Sequence, residues 1–117
     1  MPSRVLIVDD HAGFRRLARS LLDAEGYEVV GEAGDVASAR IAARELRPDL
    51  VLLDVQLPDG NGFDLAGELR AGGRGPAVVL TSTRDAADYA TRVQASAAAG
   101  FVPKAELSGA AIERLAG

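Results

Sequence analysis

The stretch Leu50-Val51-Leu52-Leu53-Asp54-Val55-Gln56-Leu57-Pro58-Asp59-Gly60-Asn61-Gly62 sets four apolar residues against one acid and follows them with dense turn chemistry. A strand apolar on both faces is what the centre of a parallel sheet requires, because helices cover it from two sides. The third strand is therefore expected over 49–53, with Pro48 blocking the helix before it. Pro58 and Gly62 are read as turn formers that fix the loop after Asp54. Asp54 closes a buried strand, where a carboxylate is rarely left without a partner or a use.

Outward from this stretch the pattern recurs. Val5-Leu6-Ile7-Val8 stops at Asp9 and Asp10, Ala77-Val78-Val79-Leu80 stops at Thr81, and Gly100 to Pro103 leads to Lys104. A more polar strand, nearer a sheet edge, is expected from Glu28 to Ala33. Between the strands lie segments of helical period. Phe14, Leu17, Ala18, Leu21 and Leu22 share one inward face, and Gly26 ends that helix. Asp35 caps a helix turning Val36, Ala39, Ala43 and Leu46 inward. Leu65, Ala66 and Leu69 mark a short helix closed by Gly72-Gly73. Residues 85–99 form a fourth helix that offers mainly Ala and Val93 to a core, so thin packing and mobility are expected there. Ser108 caps a last helix with Ala111, Ile112 and Leu115 inside. Strands alternating with helices give a parallel α/β fold of five strands and five helices.

Right-handed crossovers put helices on both faces and the ligand crevice at the carboxyl ends of the strands. Asp9, Asp10, Asp54, Thr81 and Lys104 all fall at those ends. Unit charges ~4 Å apart interact by about 4 kcal/mol at an effective dielectric near 20, so three carboxylates in one pocket need compensation. Lys104 supplies one positive charge, and a hard divalent cation such as Mg2+ supplies two. Oxygen-only ligands exclude a soft-metal preference. With a phosphoryl group neutralised by that cation and by Lys104, a free oxygen of Asp54 is placed to attack phosphorus in line and form an acyl phosphate.

Composition narrows the field further. The chain has 117 residues, which fits one domain over 1–117. With 48% hydrophobic and 26% charged residues it is an ordinary globular sequence rather than a disordered one. A net charge of −4 with scattered basic residues disfavours direct nucleic-acid binding. The absence of Trp leaves few platforms for a stacked flavin or base, and the absence of Cys excludes disulfides and thiolate metal sites. No apolar run approaches the ~20 residues that span a bilayer, and the start lacks an apolar segment with a cleavage site. A cytoplasmic location is expected.

Val8-Asp9-Asp10-His11, Asp54 to Gly62, Leu80-Thr81 and Phe101-Val102-Pro103-Lys104 together resemble the receiver domain of two-component response regulators. The likeness covers nearly the whole chain, and His11, Phe14 and Arg15 resemble the branch whose members often carry helix-turn-helix outputs. It implies a flavodoxin-like doubly wound sandwich with strand order 2-1-3-4-5, and no output domain in this chain. It implies that Asp54 accepts a phosphoryl group from a histidine kinase or phosphotransfer protein. Asp10 would hold Mg2+ directly, Asp9 through water, and Gln56 through its backbone carbonyl. Thr81 would donate its hydroxyl to the phosphoryl group, Lys104 would pair with it, and Phe101 would be the aromatic switch, with core packing as its alternative role. The surface of the fourth helix, fifth strand and fifth helix would meet partners, including a second copy of the chain. One departure is that Pro103 precedes Lys104 and Ala105 follows it, so the cis peptide many receivers carry after the lysine does not transfer.

Plainer roles stand beside these. His11, the only histidine, reads as an exposed residue opening the first helix, and Arg15-Arg16 as a solvated pair. Two other functions compete. An aspartyl-phosphate phosphohydrolase also places an acid after a parallel strand, but it carries an acid/base aspartate two residues later, where this chain has Gln56. A flavodoxin-like small-molecule binder needs Gly, Ser and Thr amides after the first strand, where this chain has two acids.

Overall fold

The computed structural model describes residues 3–83 and 86–116, the side chains of 86–88 excepted. Its sheet consists of β1 (Arg4–Val8), β2 (Glu28–Ala33), β3 (Leu50–Asp54), β4 (Ala77–Ser82) and β5 (Gly100–Pro103). Every pairing is parallel, and the spatial order is 2-1-3-4-5. Gln56–Leu57 and Gly60–Asn61 add a two-residue antiparallel hairpin directly after β3. The helices are α1 (Ala12–Ala24), α2 (Val36–Leu46), α3 (Gly62–Leu69), α4 (Ala86–Ala95) and α5 (Gly109–Ala116). None of the described helices is long and apolar enough to cross a membrane.

Successive side chains of a strand alternate between the two faces of a sheet, and so two cores form. Val5, Ile7, Leu50, Leu52, Val79 and Val102 pack with Ala18 and Leu22 of α1 and Ala111 and Ile112 of α5. Leu6, Val8, Val51, Leu53, Val78 and Leu80 pack with residues of α2, α3 and α4. All five residues of β3 are buried, as its position at the centre of the sheet demands.

The helix ends follow from local chemistry. The Asp35 carboxylate accepts the Ser38 amide at 2.8 Å, and Ser108 Oγ accepts the Ala111 amide at 3.0 Å. Asn61 caps α3 in the same way, through the Asp64 amide at 2.9 Å. Gly26 takes φ +89° to close α1, a conformation that disfavours other residues.

Three sequence expectations change. Leu17, expected inside, is 60% exposed. At 100° per residue the buried stripe of α1 is centred on Ala18 and Leu22, turned toward Arg15 and Arg19, because both arginines reach Glu32 of β2 at 3.0 and 2.8 Å. The fourth helix ends at Ala95 rather than Ala99. Ser96 Oγ donates to the Val93 carbonyl at 2.7 Å, and the Ala99 amide is drawn to Val78 O at 2.8 Å in the sheet, which ends the helical ladder. The expected start of that helix, residue 85, lies outside the described residues, as do Met1, Pro2 and Gly117. Nor is α4 held by alanines alone, since Tyr89 is buried between Phe63 and Phe101, with ring centroids 5.7 Å from each.

Candidate functional site

The site is built by register. β1 runs beside β3 so that Val8 pairs with Leu53, and β3 runs beside β4 so that Asp54 pairs with Thr81. The residues that follow Val8 and Leu53 in the chain therefore emerge side by side. β5 places Val102 opposite Thr81 and delivers Lys104 two residues later. Asp9 is fully buried, Asp54 is 4% exposed and Thr81 is 1% exposed, while Asp10 lies outward.

The ammonium of Lys104 lies 2.6 Å from Asp9 Oδ2 and 3.5 Å from Asp54 Oδ2, so one cation serves two buried carboxylates. It also stands 4.5 Å from the centre of the Phe14 ring, whose π face favours a cation. Asp54 Oδ1 accepts the Gln56 amide at 3.3 Å. Burial pushes the Asp54 carboxyl above its ordinary range, and the neighbouring Asp9 charge pushes it the same way; Lys104 and the Gln56 amide pull it back without cancelling the rise. The hydroxyl of Thr81 is buried and has no hydrogen-bond partner among the described residues. A buried hydroxyl without a partner costs free energy, which a ligand with acceptor oxygens would recover.

The surrounding loops are held tightly. Val55 N donates to Thr81 O at 2.9 Å and Gly62 N to Val55 O at 2.8 Å, so the hairpin folds back on the end of β3. A Cβ on Gly62 would lie 2.5 Å from the Asp54 carbonyl oxygen, and only glycine fits there. The carboxylate of Asp59 accepts the amides of Val36 and Ala37 at 2.7 and 3.1 Å, tying this loop to the first turn of α2.

The structure thus brings Asp9, Asp10, Asp54, Thr81 and Lys104 to one edge. Gln56 is exposed on the adjoining hairpin. Phe101 is half-buried one pair below, opposite Leu80, with its ring against Tyr89. Arg15 departs from its expected place, for its Nη1 donates to the Asp9 carbonyl at 2.5 Å and its Nε to Glu32, so it braces the acidic loop instead of facing solvent. Phe14, Arg15, Asp59 and Tyr89 were not singled out for the site by sequence. Only the one-turn spacing of His11, Phe14 and Arg15 carried a signal that they share the loop's face.

The carboxylates of Asp9, Asp10 and Asp54 offer hard oxygen donors close enough to share a cation. Residues 5–115 match the model of the family described as response regulator receiver domain. The transcriptional regulatory protein PdtaR of Mycobacterium tuberculosis is 38% identical over 92% of this chain and 57% of its own length. The DNA-binding response regulator MtrA of the same species is 41% identical over 83% of this chain and 42% of its own length. The solved signal receiver domain of NarL from Mycobacterium tuberculosis superposes with a TM-score of 0.85 at 31% identity, covering 99% of this chain and 98% of that one. The chain spans about half the length of the curated relatives it matches.

Proposed function

The chain belongs to the response regulator receiver domain family, and from that premise we propose that Asp54 is the residue through which it takes part in phosphorelay signalling. What supports this most is one juxtaposition: a buried carboxylate ending the central strand, in register with a buried unpartnered hydroxyl and within 3.5 Å of an ammonium. Receiver domains bind Mg2+ at an acidic pocket, and the donors here fit it. Asp10 would hold the ion directly, Asp9 through water, Asp54 through one oxygen and Gln56 through its backbone carbonyl. Bound Mg2+ supplies the positive charge that lets an anionic phosphoryl group enter a pocket of carboxylates.

An oxygen of Asp54 attacks the phosphorus of a phosphohistidine on a histidine kinase or phosphotransfer protein. The new P–O bond forms as the P–N bond breaks, and the departing imidazole takes a proton from solvent. Lys104, shared in the structure between Asp9 and Asp54, pairs with a phosphoryl oxygen. Thr81 donates its hydroxyl to another. Movement of Thr81 toward the phosphoryl group opens space for Phe101, and the change reaches α4 through Tyr89. Carrying such a two-state element from 1:99 to 99:1 takes about 5.5 kcal/mol of differential interaction, a scale that charge-assisted hydrogen bonds to a buried phosphoryl group approach. The α4-β5-α5 surface then meets a partner or a second copy of the chain, in the cytoplasm. We read the chain as a switch that assists its own phosphorylation and dephosphorylation rather than as a phosphohydrolase, since Gln56 offers no acid/base carboxyl.

The test is incubation with Mg2+ and acetyl phosphate, followed by intact mass measurement. The expected result is one added phosphoryl group, removed by hydroxylamine and absent from Asp54→Asn. An adduct that persists in Asp54→Asn would defeat the assignment.

A further inference from the structure

We propose that Arg15 is a positioning residue of the metal site: by holding the Asp9 carbonyl it fixes the peptide that leads to Asp10, and so sets where the Asp10 carboxylate stands. The inference rests on the metal pocket of the proposed function and adds to it a residue that is no ligand, since a guanidinium has no lone pair to offer. Asp9 and Asp10 are held in different ways. Asp9 is buried and held from several sides: its amide donates to Ala33 O at 3.0 Å, its Oδ1 accepts the His11 amide at 2.8 Å and its Oδ2 faces the Lys104 ammonium at 2.6 Å. The Asp10 side chain is 35% exposed, and among the described residues its carboxylate meets only the His11 ring, whose Nδ1 the backbone turn brings to 3.1 Å. Its place is therefore decided by the backbone that carries it.

A peptide unit is planar from one Cα to the next, so with Asp9 anchored the direction of its carbonyl fixes the course of the chain into Asp10. That carbonyl accepts from Arg15 Nη1 at 2.5 Å, and no backbone amide among the described residues shares it. The same guanidinium donates through Nε to Glu32 Oε1 at 3.0 Å, while Arg19 Nε holds the other Glu32 oxygen at 2.8 Å. Two bonds from one rigid planar fork set its orientation, which a flexible ammonium does not do. Glu32 pairs with Ile7 in the sheet, so the fork is referred to β2 rather than to solvent. Charge alone argues for the opposite outcome, because a fixed cation beside the pocket repels a divalent one and its removal would tighten Mg2+ binding. Positioning requires that the same removal weaken it.

The experiment measures Mg2+ binding to the whole chain by calorimetry, and the Mg2+ dependence of phosphorylation by acetyl phosphate. Arg15→Ala should weaken Mg2+ binding about tenfold, the scale on which residues behind the ligands of a metal act, and raise the Mg2+ concentration for half-maximal phosphorylation by a similar factor. Arg16→Ala removes an equal charge from the next, exposed residue of α1 and should change neither value. Arg15→Lys keeps the charge and a donor but not the fork, and should recover part of the loss. Glu32→Gln, which loosens the hold on the fork, should show a smaller loss in the same direction. Equal Mg2+ affinity in Arg15→Ala and Arg16→Ala, or tighter binding in Arg15→Ala, overturns the inference, while Mg2+ binding and Asp54 phosphorylation in the parent leave the proposed function standing. Should Arg15→Ala fail to fold, Glu32→Gln decides, and an affinity equal to the parent's overturns the inference. If the parent neither binds Mg2+ nor is phosphorylated, both fall together.

Discussion

The two ends of the sheet handle charge in opposite ways. At the amino end, several polar groups have partners within the chain. The Arg4 amide donates to Asp49 Oδ2 at 2.9 Å, and the Arg4 side chain donates to Arg47 O at 3.0 Å. Arg70 donates to Gly75 O at 3.0 Å, and Arg40 pairs through two nitrogens with Glu68 at 2.6 and 2.7 Å. A groove of about 500 Å3 lies there between α2 and α3, yet the Arg40 and Glu68 charges on its wall are spent on each other. At the carboxyl end, Lys104 stands against Asp9 and Asp54 together, and the Thr81 hydroxyl has no partner among the described residues. Space alone does not make a site; unsatisfied valence does.

The sharpest way to break this contrast is Asp54→Asn, which should abolish phosphorylation by acetyl phosphate. Because burial and Asp9 make the Asp54 charge costly, the same variant should melt at a higher temperature than the parent in the absence of Mg2+, and added Mg2+ should then stabilise it less. A variant that melts lower without Mg2+ would show that the acidic end is not strained.

Leu52→Ala, in the middle of β3 at 1% exposure, should cost about 2–5 kcal/mol in urea unfolding and weaken both ends alike. Asp49→Ala removes the acceptor of the Arg4 amide at an exposed position, so its cost should be about 0.5 kcal/mol, with phosphorylation kinetics untouched. A slower phosphorylation in that variant would mean that the two ends are coupled.

The smallest effect concerns Glu32, beside the carboxyl end. Burial works against its charge, but hydrogen bonds from Arg19 and Arg15 outweigh that and hold its carboxyl below the ordinary 4.5. The folded chain therefore binds this proton less readily than the unfolded one. The resulting stabilisation is present above pH 4.5 and is lost as pH falls through the lowered value. Glu32→Gln should make the loss of stability below that pH shallower, as read by unfolding at a series of pH values.

What could be read in sequence was local. Val5-Leu6-Ile7-Val8 and Leu50 to Leu53 declare buried parallel strands by composition alone, and Asp35 and Ser108 declare caps by position. The acids, Thr81 and Lys104 were placed at one edge because parallel topology forces strand ends together. What was hidden depended on partners distant in the chain. Leu17 is exposed because Arg15 and Arg19 seek Glu32 on another element, and α4 stops early because Ala99 is claimed by Val78. Tyr89, in a helix whose sequence offers mainly Ala and Val93 to a core, is buried because Phe63 and Phe101 of other elements stand on either side of it. His11 was read correctly as exposed, but its ring orientation follows from a backbone turn that no spacing announces.

The burial of Tyr89 has a practical consequence. The chain has no Trp and only two Tyr, so a Tyr27→Phe protein would have a single tyrosine emitter. That emitter touches the Phe101 ring on one side and, on the other, Phe63, over which the Arg92 guanidinium lies at 4.3 Å. Its quantum yield and lifetime would register any displacement of Phe101 in real time, with no dye attached and no energy drained to an indole.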